Sequence, residues 1–320
     1  MKKIAILTSG GDCSGMNATI RAVVRTAIAT GMEVVGIQKG FAGMVNNWMQ
    51  PLTVRSVSGI VQRGGTMLKS ARCPEMHELD TQKKVVETLK RAGIEGVILL
   101  GGDGSLRGAY ALHQLGVRIM AIPASIDNDI AYTDMSLGVD TALNNIRYAV
   151  DALKDTASSH DRAFVVETMG RNCGYLAVVS AIACGAEFAL IPETPFDLDS
   201  ICIALRKRFN EGRDNSIIMV AEGAGKAEKI AADIKDRIGF ETRVMVLGHY
   251  QRGGSPTTFD RLLGARFGVA AFERLVAGNS GEMVGLSCGG LAFTQLHELQ
   301  NAGRKQIDAV VLKLARLLVN

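Results

Sequence analysis

Two stretches of this 320-residue chain end an apolar run in Gly-Gly-Asp: Thr8-Ser9-Gly10-Gly11-Asp12 and Leu100-Gly101-Gly102-Asp103-Gly104. Glycines lack a Cβ, so the backbone there can approach phosphate oxygens closely, and the neighbouring carboxylate can hold the Mg²⁺ that accompanies a nucleotide. The same pattern also serves as a plain glycine turn in which aspartate caps the next helix. Two copies in one chain favour the phosphate reading. Neither copy is a Walker A loop or a G-x-G-x-x-G fingerprint, which disfavours both commoner nucleotide folds. A third segment, Ala121-Ile122-Pro123, runs into Ala124-Ser125-Ile126-Asp127-Asn128-Asp129 and sets two carboxylates and a hydroxyl in one short loop. Such a loop suits a base that accepts a substrate hydroxyl proton beside a carboxylate lying toward a metal, or, more simply, an Asx turn.

Phosphoryl transfer needs cations against the negative charge that spreads over the equatorial oxygens. Arg72 and Arg171 lie beside glycine- and cysteine-containing loops and are candidates, as surface arginines also would be. Further on, Val246-Leu247-Gly248-His249-Tyr250-Gln251-Arg252-Gly253-Gly254 is a strand running into a basic, glycine-rich turn, where His249 and Arg252 can grip a second phosphate. Glu222, at the end of Ser216–Ala221, suits either sugar hydroxyls or a helix cap. A second echo, Gln62-Arg63-Gly64-Gly65-Thr66 against Gln251-Arg252-Gly253-Gly254-Ser255, has no chemistry that the sequence alone explains.

These residues need strands whose carboxyl ends meet helix N-termini, where unpaired N–H groups bind anions. Short β-branched runs at Lys3–Thr8, Glu33–Ile37, Gly96–Leu100, Arg118–Ile122, Ala163–Glu167, Phe188–Ile191, Ser216–Ala221 and Arg243–Leu247 read as strands. Between them, apolar spacing near 3.6 predicts helices over Asn17–Ala29, Leu106–Gln114, Asp140–Lys154, Leu198–Arg208 and Ala227–Arg237. The alternation implies an α/β class with parallel sheets, and the length implies two domains. The net charge of +4 is small and its basic residues dispersed, which argues against nucleic acid or a membrane surface as partner. The longest apolar run, Leu176 to Ile191, contains Glu187 and is too short to span a bilayer, and the N-terminal apolar run is too short for a signal peptide. Six cysteines without a CxxC pair fit a reducing cytoplasm rather than a zinc site or a disulfide scaffold.

From Lys3 to about Gly285 the chain resembles the bacterial phosphofructokinase family. The segments that carry the likeness are LTSGGDCSGMNA at Leu7–Ala18, RGGT at Arg63–Thr66, SARCPE at Ser70–Glu75, GGDGS at Gly101–Ser105, SIDND at Ser125–Asp129, DTASSH at Asp155–His160, VETMGR at Val166–Arg171 and GHYQRGGSPT at Gly248–Thr257. Only the GGDG element is shared with NAD kinases and lipid kinases. The resemblance implies two Rossmann-like three-layer domains with the active site in the cleft between them. One would comprise residues 1–138 with about 252–304 and bind nucleotide; the other, 139–251 with about 305–320, would bind fructose 6-phosphate. It implies that Gly11, Phe41, Arg72, Cys73, Gly102, Gly104, Ser105 and Gly108 surround ATP, and that Asp103 serves Mg²⁺. Asp127 is then the general base, and Ser125 and Arg171 stabilise the transferring group with Asp129 nearby. Met169, Gly170, Glu222, His249 and Arg252 hold the sugar phosphate, while Arg162 and Arg243 reach that of a neighbouring subunit in a homotetramer.

The chain departs from the family pattern in three places. Ala124-Ser125 stands for the usual Gly-Thr, and Phe41 for a common Tyr. The resemblance also places Arg21, Arg25, Ser58, Lys154, Gly185, Glu187 and Arg213 in an effector pocket. There the usual Arg-Gly-Lys-Lys-His reads Glu211-Gly212-Arg213-Asp214-Asn215, taking three cations to one cation and two anions. Activation by ADP and inhibition by phosphoenolpyruvate are therefore expected to be weak or absent. A pyrophosphate-dependent relative would typically carry Asp at position 104 and Lys at 124, where this chain has Gly104 and Ala124. A non-catalytic regulatory subunit would have no need of Asp127.

Overall fold

The computed structural model describes residues 1–157, 162–212, 215–239 and 241–319. Its contacts divide the chain into two units, Met1–Thr141 with Arg252–Lys305, and Ala142–Gln251 with Gln306–Asn320. The first unit opens with β1 (Lys3–Ser9), α1 (Met16–Ala29), β2 (Glu33–Ile37), α2 (Gly40–Val45), β3 (Met49–Leu52), α3 (Leu79–Arg91), β4 (Gly96–Gly101), α4 (Asp103–Gln114) and β5 (Ile119–Pro123). Helix α5 (Val139–Ala157) carries the chain into the second unit. That unit holds β6 (Arg162–Thr168), α6 (Tyr175–Cys184), β7 (Phe188–Leu190), α7 (Leu198–Asn210), β8 (Ser216–Ala221), α8 (Ala227–Ile238) and β9 (Glu241–Val246). The chain returns to the first unit for α9 (Thr258–Val276), β10 (Glu282–Ser287), β11 (Gly290–Gln295) and α10 (Leu296–Asn301), and α11 (Ala309–Leu318) belongs to the second.

In the first unit the strand order is β11-β10-β5-β4-β1-β2-β3. The run β10-β5-β4-β1-β2 is parallel, and β11 and β3 join antiparallel at its edges. Helices cover both faces, so the inner strands must be apolar on both sides. On β1, Ala5 and Leu7 pack with Leu99, Phe41, Leu106 and Leu112 beneath α2, α3 and α4. Ile4 and Ile6 are fully buried on the opposite side, where α1 packs on α9. Each such aliphatic side chain contributes roughly 1.5–3 kcal/mol of burial free energy. Chain order reverses between β1 and β4, the switch point at which open α/β sheets bind ligands.

The second unit has its own all-parallel sheet, β7-β8-β6-β9. Ala163, Val165, Ile218 and Val220 pack against Ile201 and Leu205 of α7 and Ile230 and Ile234 of α8. Helix α6 lies against β6 and β8, and α11 packs on α6. Asp197 starts α7 by accepting the N–H groups of Asp199 and Ser200, two of the four donors a helix N-terminus leaves unpaired. Helix α4 begins at Asp103, three residues before the Leu106 expected from apolar spacing, because the glycine-rich turn is itself the first turn of the helix.

Candidate active site

Parallel register places the three chemistry-bearing loops of the first unit side by side. Ser9 of β1 pairs with Gly101 of β4, and Gly101 pairs with Pro123 of β5. The two Gly-Gly-Asp turns and the Ser125–Asp129 loop thus leave neighbouring strands at the same end of the sheet. Ser105 fits between the two turns. A methyl group on Gly101 would lie 2.5 Å from its Cβ, and one on Gly10 would lie 3.3 Å from its Oγ. The segment after β3 is tied to this edge as well. Thr8 Oγ1 donates to the carbonyl of Lys69 at 2.9 Å, and Ser70 Oγ donates to that of Gly10. Arg72 follows two residues on, exposed.

Gly102 precedes α4, so Asp103 and Gly104 occupy the positive end of that helix. Asp103 is half-exposed and pairs with Arg107 one turn later, Nε to Oδ2 at 3.1 Å. Nothing lies within 4 Å of where a methyl on Gly104 would be. Gly108, one turn along, faces Phe41, whose Cζ would be 2.7 Å from an added methyl. Phe41 is buried in the core, so its ring forms the floor of this edge rather than projecting from it. The thiol of Cys73 donates to Glu75 Oε2 at 3.3 Å; burial, and then that carboxylate, push it up to about 11. At neutral pH it is a protonated thiol and no nucleophile.

Asp127 is only 4% exposed. Its loop is held by Asn128, whose backbone takes a left-handed φ of 52° and whose side chain closes the loop on both sides. Asn128 Oδ1 accepts the N–H of Ser136 at 3.0 Å, and Nδ2 donates to the carbonyl of Asp134 at 3.3 Å. Ser125 Oγ reaches Asp129 Oδ1 at 3.4 Å. Arg252 also belongs to the first unit: Nη1 donates to the Asp12 carbonyl at 3.0 Å, and it lies 2.4 Å from where a methyl on Gly11 would be. The guanidinium therefore rests directly on the first glycine turn. The unexplained echo also meets here. A methyl on Gly64 would lie 2.2 Å from the carbonyl oxygen of Gly254, and Ser255 Oγ donates to the carbonyl of Gln62 at 2.8 Å. The two Gln-Arg-Gly-Gly segments pack backbone to backbone, which leaves no room for a side chain at Gly64.

In the second unit, Met169, Gly170 and Arg171 form the turn after β6, with Arg171 at a left-handed φ of 53°. Glu222 uses one carboxylate oxygen within the protein. Its Oε1 accepts the N–H of Gly170 at 3.2 Å and of Arg171 at 2.8 Å. Gln251, given no role of its own from the sequence, accepts the N–H of Met169 at 3.1 Å and donates to the Gly248 carbonyl at 3.0 Å. His249 is exposed on the 3₁₀ turn Gly248–Arg252. Arg162 of β6 and Arg243 of β9 both form ion pairs with the carboxylate of Glu241, which pairs with Arg162 across the two strands.

The positions expected at an effector pocket fall into both units. Arg21 and Arg25 lie on α1, and Ser58 in the loop beyond β3. Lys154, Gly185 and Glu187 belong to the second unit. Lys154 Nζ donates to the carbonyls of Cys184 and Gly185 at the end of α6. Glu187 accepts from Arg208 at 2.9 Å and from the N–H of Ile217 at 2.6 Å. Arg213 lies outside the described residues.

The loops after β1, β4 and β5 lie together as a glycine-rich edge at the switch point of a doubly wound sheet. The phosphofructokinase family model matches residues 3–275. The ATP-dependent 6-phosphofructokinase of Natranaerobius thermophilus is 50% identical over 89% of this chain and 90% of its own. That of Thermotoga neapolitana is 46% identical over 99% of this chain and 100% of its own. The solved phosphofructokinase of Saccharomyces cerevisiae superposes with a TM-score of 0.87 at 33% identity, covering 94% of this chain. This chain spans 45% of that longer one. The chain belongs to the phosphofructokinase family.

Proposed function

We propose that the chain is an ATP-dependent 6-phosphofructokinase, which moves the γ-phosphoryl group of ATP to the 1-hydroxyl of fructose 6-phosphate, giving fructose 1,6-bisphosphate and ADP in the cytoplasm. The observation that carries this reading is the register of β1, β4 and β5, which sets two glycine turns beside a loop with a buried aspartate, Asp127. Asp127 accepts the proton of the 1-hydroxyl as its oxygen attacks phosphorus and the bond from phosphorus to the β-phosphate oxygen breaks. By the family resemblance, Gly11, Arg72, Ser125 and Arg171 meet the charge on the transferring group. Gly102, Gly104, Ser105, Gly108, Phe41 and Cys73 surround the nucleotide. Met169, Gly170, Glu222, His249 and Arg252, with Asp129, hold the sugar phosphate, and Arg162 and Arg243 serve a neighbouring subunit of a homotetramer.

Among the described residues no group of three or more His, Cys, Asp or Glu side chains could hold a metal ion. Mg²⁺ bound with a nucleotide needs no such cage, because phosphate oxygens and water fill most of its octahedron. One exposed carboxylate beside the glycine turn, Asp103, fits that demand. When bound, Mg²⁺ neutralises charge on the phosphates. The open space at Gly104 leaves room beside α4 for a nucleotide, which favours ATP over pyrophosphate as donor. A coupled assay with fructose 6-phosphate tests the reading: turnover is expected with ATP and not with pyrophosphate. Turnover with pyrophosphate alone, or with neither, overturns it.

A further inference from the structure

We propose that Gln251 is a positioning residue of the sugar-phosphate site: its amide ties the turn after β6 to the turn after β9 and so sets Met169 relative to His249. The proposal rests on the reading above for what the site binds. The parallel ladder between β6 and β9 runs to Glu167 opposite Val246, with a last rung from the N–H of Leu247 to the Glu167 carbonyl at 3.1 Å. Beyond it the two backbones turn away, and Gln251 supplies the next link from its side chain. Oε1 accepts from Met169 N–H at 3.1 Å, and Nε2 donates to the Gly248 carbonyl at 3.0 Å.

The primary amide satisfies both ends at once. One end presents a donor and the other an acceptor, and the side chain is 1% exposed, so water cannot substitute. On the opposite side of the same turn, the rung from Glu222 N–H to the Thr168 carbonyl at 2.9 Å is followed by Glu222 Oε1 on Gly170 and Arg171. The Met169–Arg171 turn is thus tied from both neighbouring strands, β9 through Gln251 and β8 through Glu222. That bracing suits a turn containing a non-glycine residue at φ 53°, a conformation held only where its surroundings over-determine it.

Two variants of the full-length enzyme test the role. Gln251→Met keeps the volume and removes both bonds; KM for fructose 6-phosphate should rise about ten-fold or more while KM for ATP stays within about two-fold. Gln251→Glu keeps an acceptor for Met169 but, when ionised, turns an oxygen toward the Gly248 carbonyl. Once protonated it regains a donor there. The ratio of its KM for fructose 6-phosphate to that of the wild type should therefore be large at pH 8 and fall toward one as pH is lowered to about 5.5, burial raising the carboxyl into this range. Titration of the free substrate phosphate is common to both assays and cancels in the ratio. A merely structural loss would raise KM for ATP along with that for fructose 6-phosphate, whereas the positioning role moves the sugar KM alone. An unmoved KM in Gln251→Met, a flat ratio across pH for Gln251→Glu, or an equal rise in KM for ATP overturns the proposal. Where Gln251→Met fails to fold, the pH ratio decides. A wild type with no ATP-dependent turnover would instead overturn the functional reading, whereas normal wild-type turnover with both variants unmoved overturns the positioning role alone.

Discussion

Asp260 is a buried charge that the proposed chemistry does not use, and its cost is measurable. It lies on the first turn of α9 with a side chain in a residue 0% exposed, and it closes the start of α5. Oδ1 accepts the N–H of Gly138 at 2.9 Å; Oδ2 accepts the N–H of Thr141 at 2.8 Å and the Thr141 hydroxyl at 2.6 Å. Burial raises the carboxyl from 3.8 to about 6, the three hydrogen bonds pull it back down, and Asp140 adds a smaller upward push. The folded state thus holds this proton more tightly than the unfolded chain does. Its contribution to stability is fully present below about pH 3.8 and is lost as pH rises through about 6. The full span of that change is roughly 3 kcal/mol, at about 1.4 kcal/mol per pKa unit. About 1.4 kcal/mol of it falls between pH 7.5 and pH 5. Asp260→Asn removes the titration, and because an amide presents only one acceptor, one of the two backbone N–H groups then faces its NH₂. The comparison to make is the difference in Tm between wild type and variant, each at the same protein concentration, by circular dichroism at the two pH values. For a unit of roughly two hundred residues, 1.4 kcal/mol corresponds to about 3–6 °C. The wild-type advantage should widen by that much on acidification, other titrating groups cancelling between the two proteins. A gap that stays constant or narrows refutes the linkage.

Replacing Asp127 by Ser should lower kcat about 10²–10⁴-fold with little change in KM for fructose 6-phosphate, since a base acts in the transition state; near-normal turnover of the folded variant would remove Asp127 from that role. Gly101→Ala brings a methyl within 2.5 Å of Ser105 Cβ and 2.8 Å of the Ser9 carbonyl oxygen, so overpacking of about 1–3 kcal/mol should lower Tm by several degrees. Gly104→Ala meets nothing within 4 Å and sits inside a helix, so its Tm should stay level or rise; equal losses in the two variants would contradict the packing at this edge. Titration of ADP and of phosphoenolpyruvate at sub-saturating fructose 6-phosphate should give weak responses, because Glu211 and Asp214 stand where the family carries cations; a strong response at sub-millimolar concentration would overturn that expectation.

What could be read from the sequence tracks how local each cause is. Runs such as Ile4–Leu7 and Val97–Leu100 are apolar because helices cover both faces of a parallel sheet, so β1, β2 and β4 to β9 stood out as short continuous stretches, while the edge strand β3 did not. Helix α9 was not among the expected helices; Gly264 and Gly268 lie inside it. In the fold they are the contact surface for α1, where a methyl on Gly264 would lie 2.6 Å from Thr19 Oγ1 and one on Gly268 would lie 2.9 Å from the Thr19 carbonyl oxygen. The hairpin of β10 and β11 was hidden similarly, its turn carrying Cys288 at φ 49°, a conformation that the residue type does not announce. At the candidate site, residue types were legible and partnerships were not. Glu222 is a reasonable sugar ligand by type, but its type does not show that one of its oxygens accepts the N–H groups of Gly170 and Arg171, more than fifty residues earlier in the chain. Gln251 figured only as part of the Gln-Arg-Gly-Gly echo and was given no role of its own, because its significance lies in Met169, 82 residues away. The Gln-Arg-Gly-Gly echo is the converse case, a pattern visible in sequence whose cause is contact between its own two copies. Side chains that meet a ligand announce themselves by charge and by the glycines around them. The amides and carboxylates that hold those side chains in place are ordinary polar residues, and only the register of the sheet, which brings distant strand ends together, shows what each of them holds.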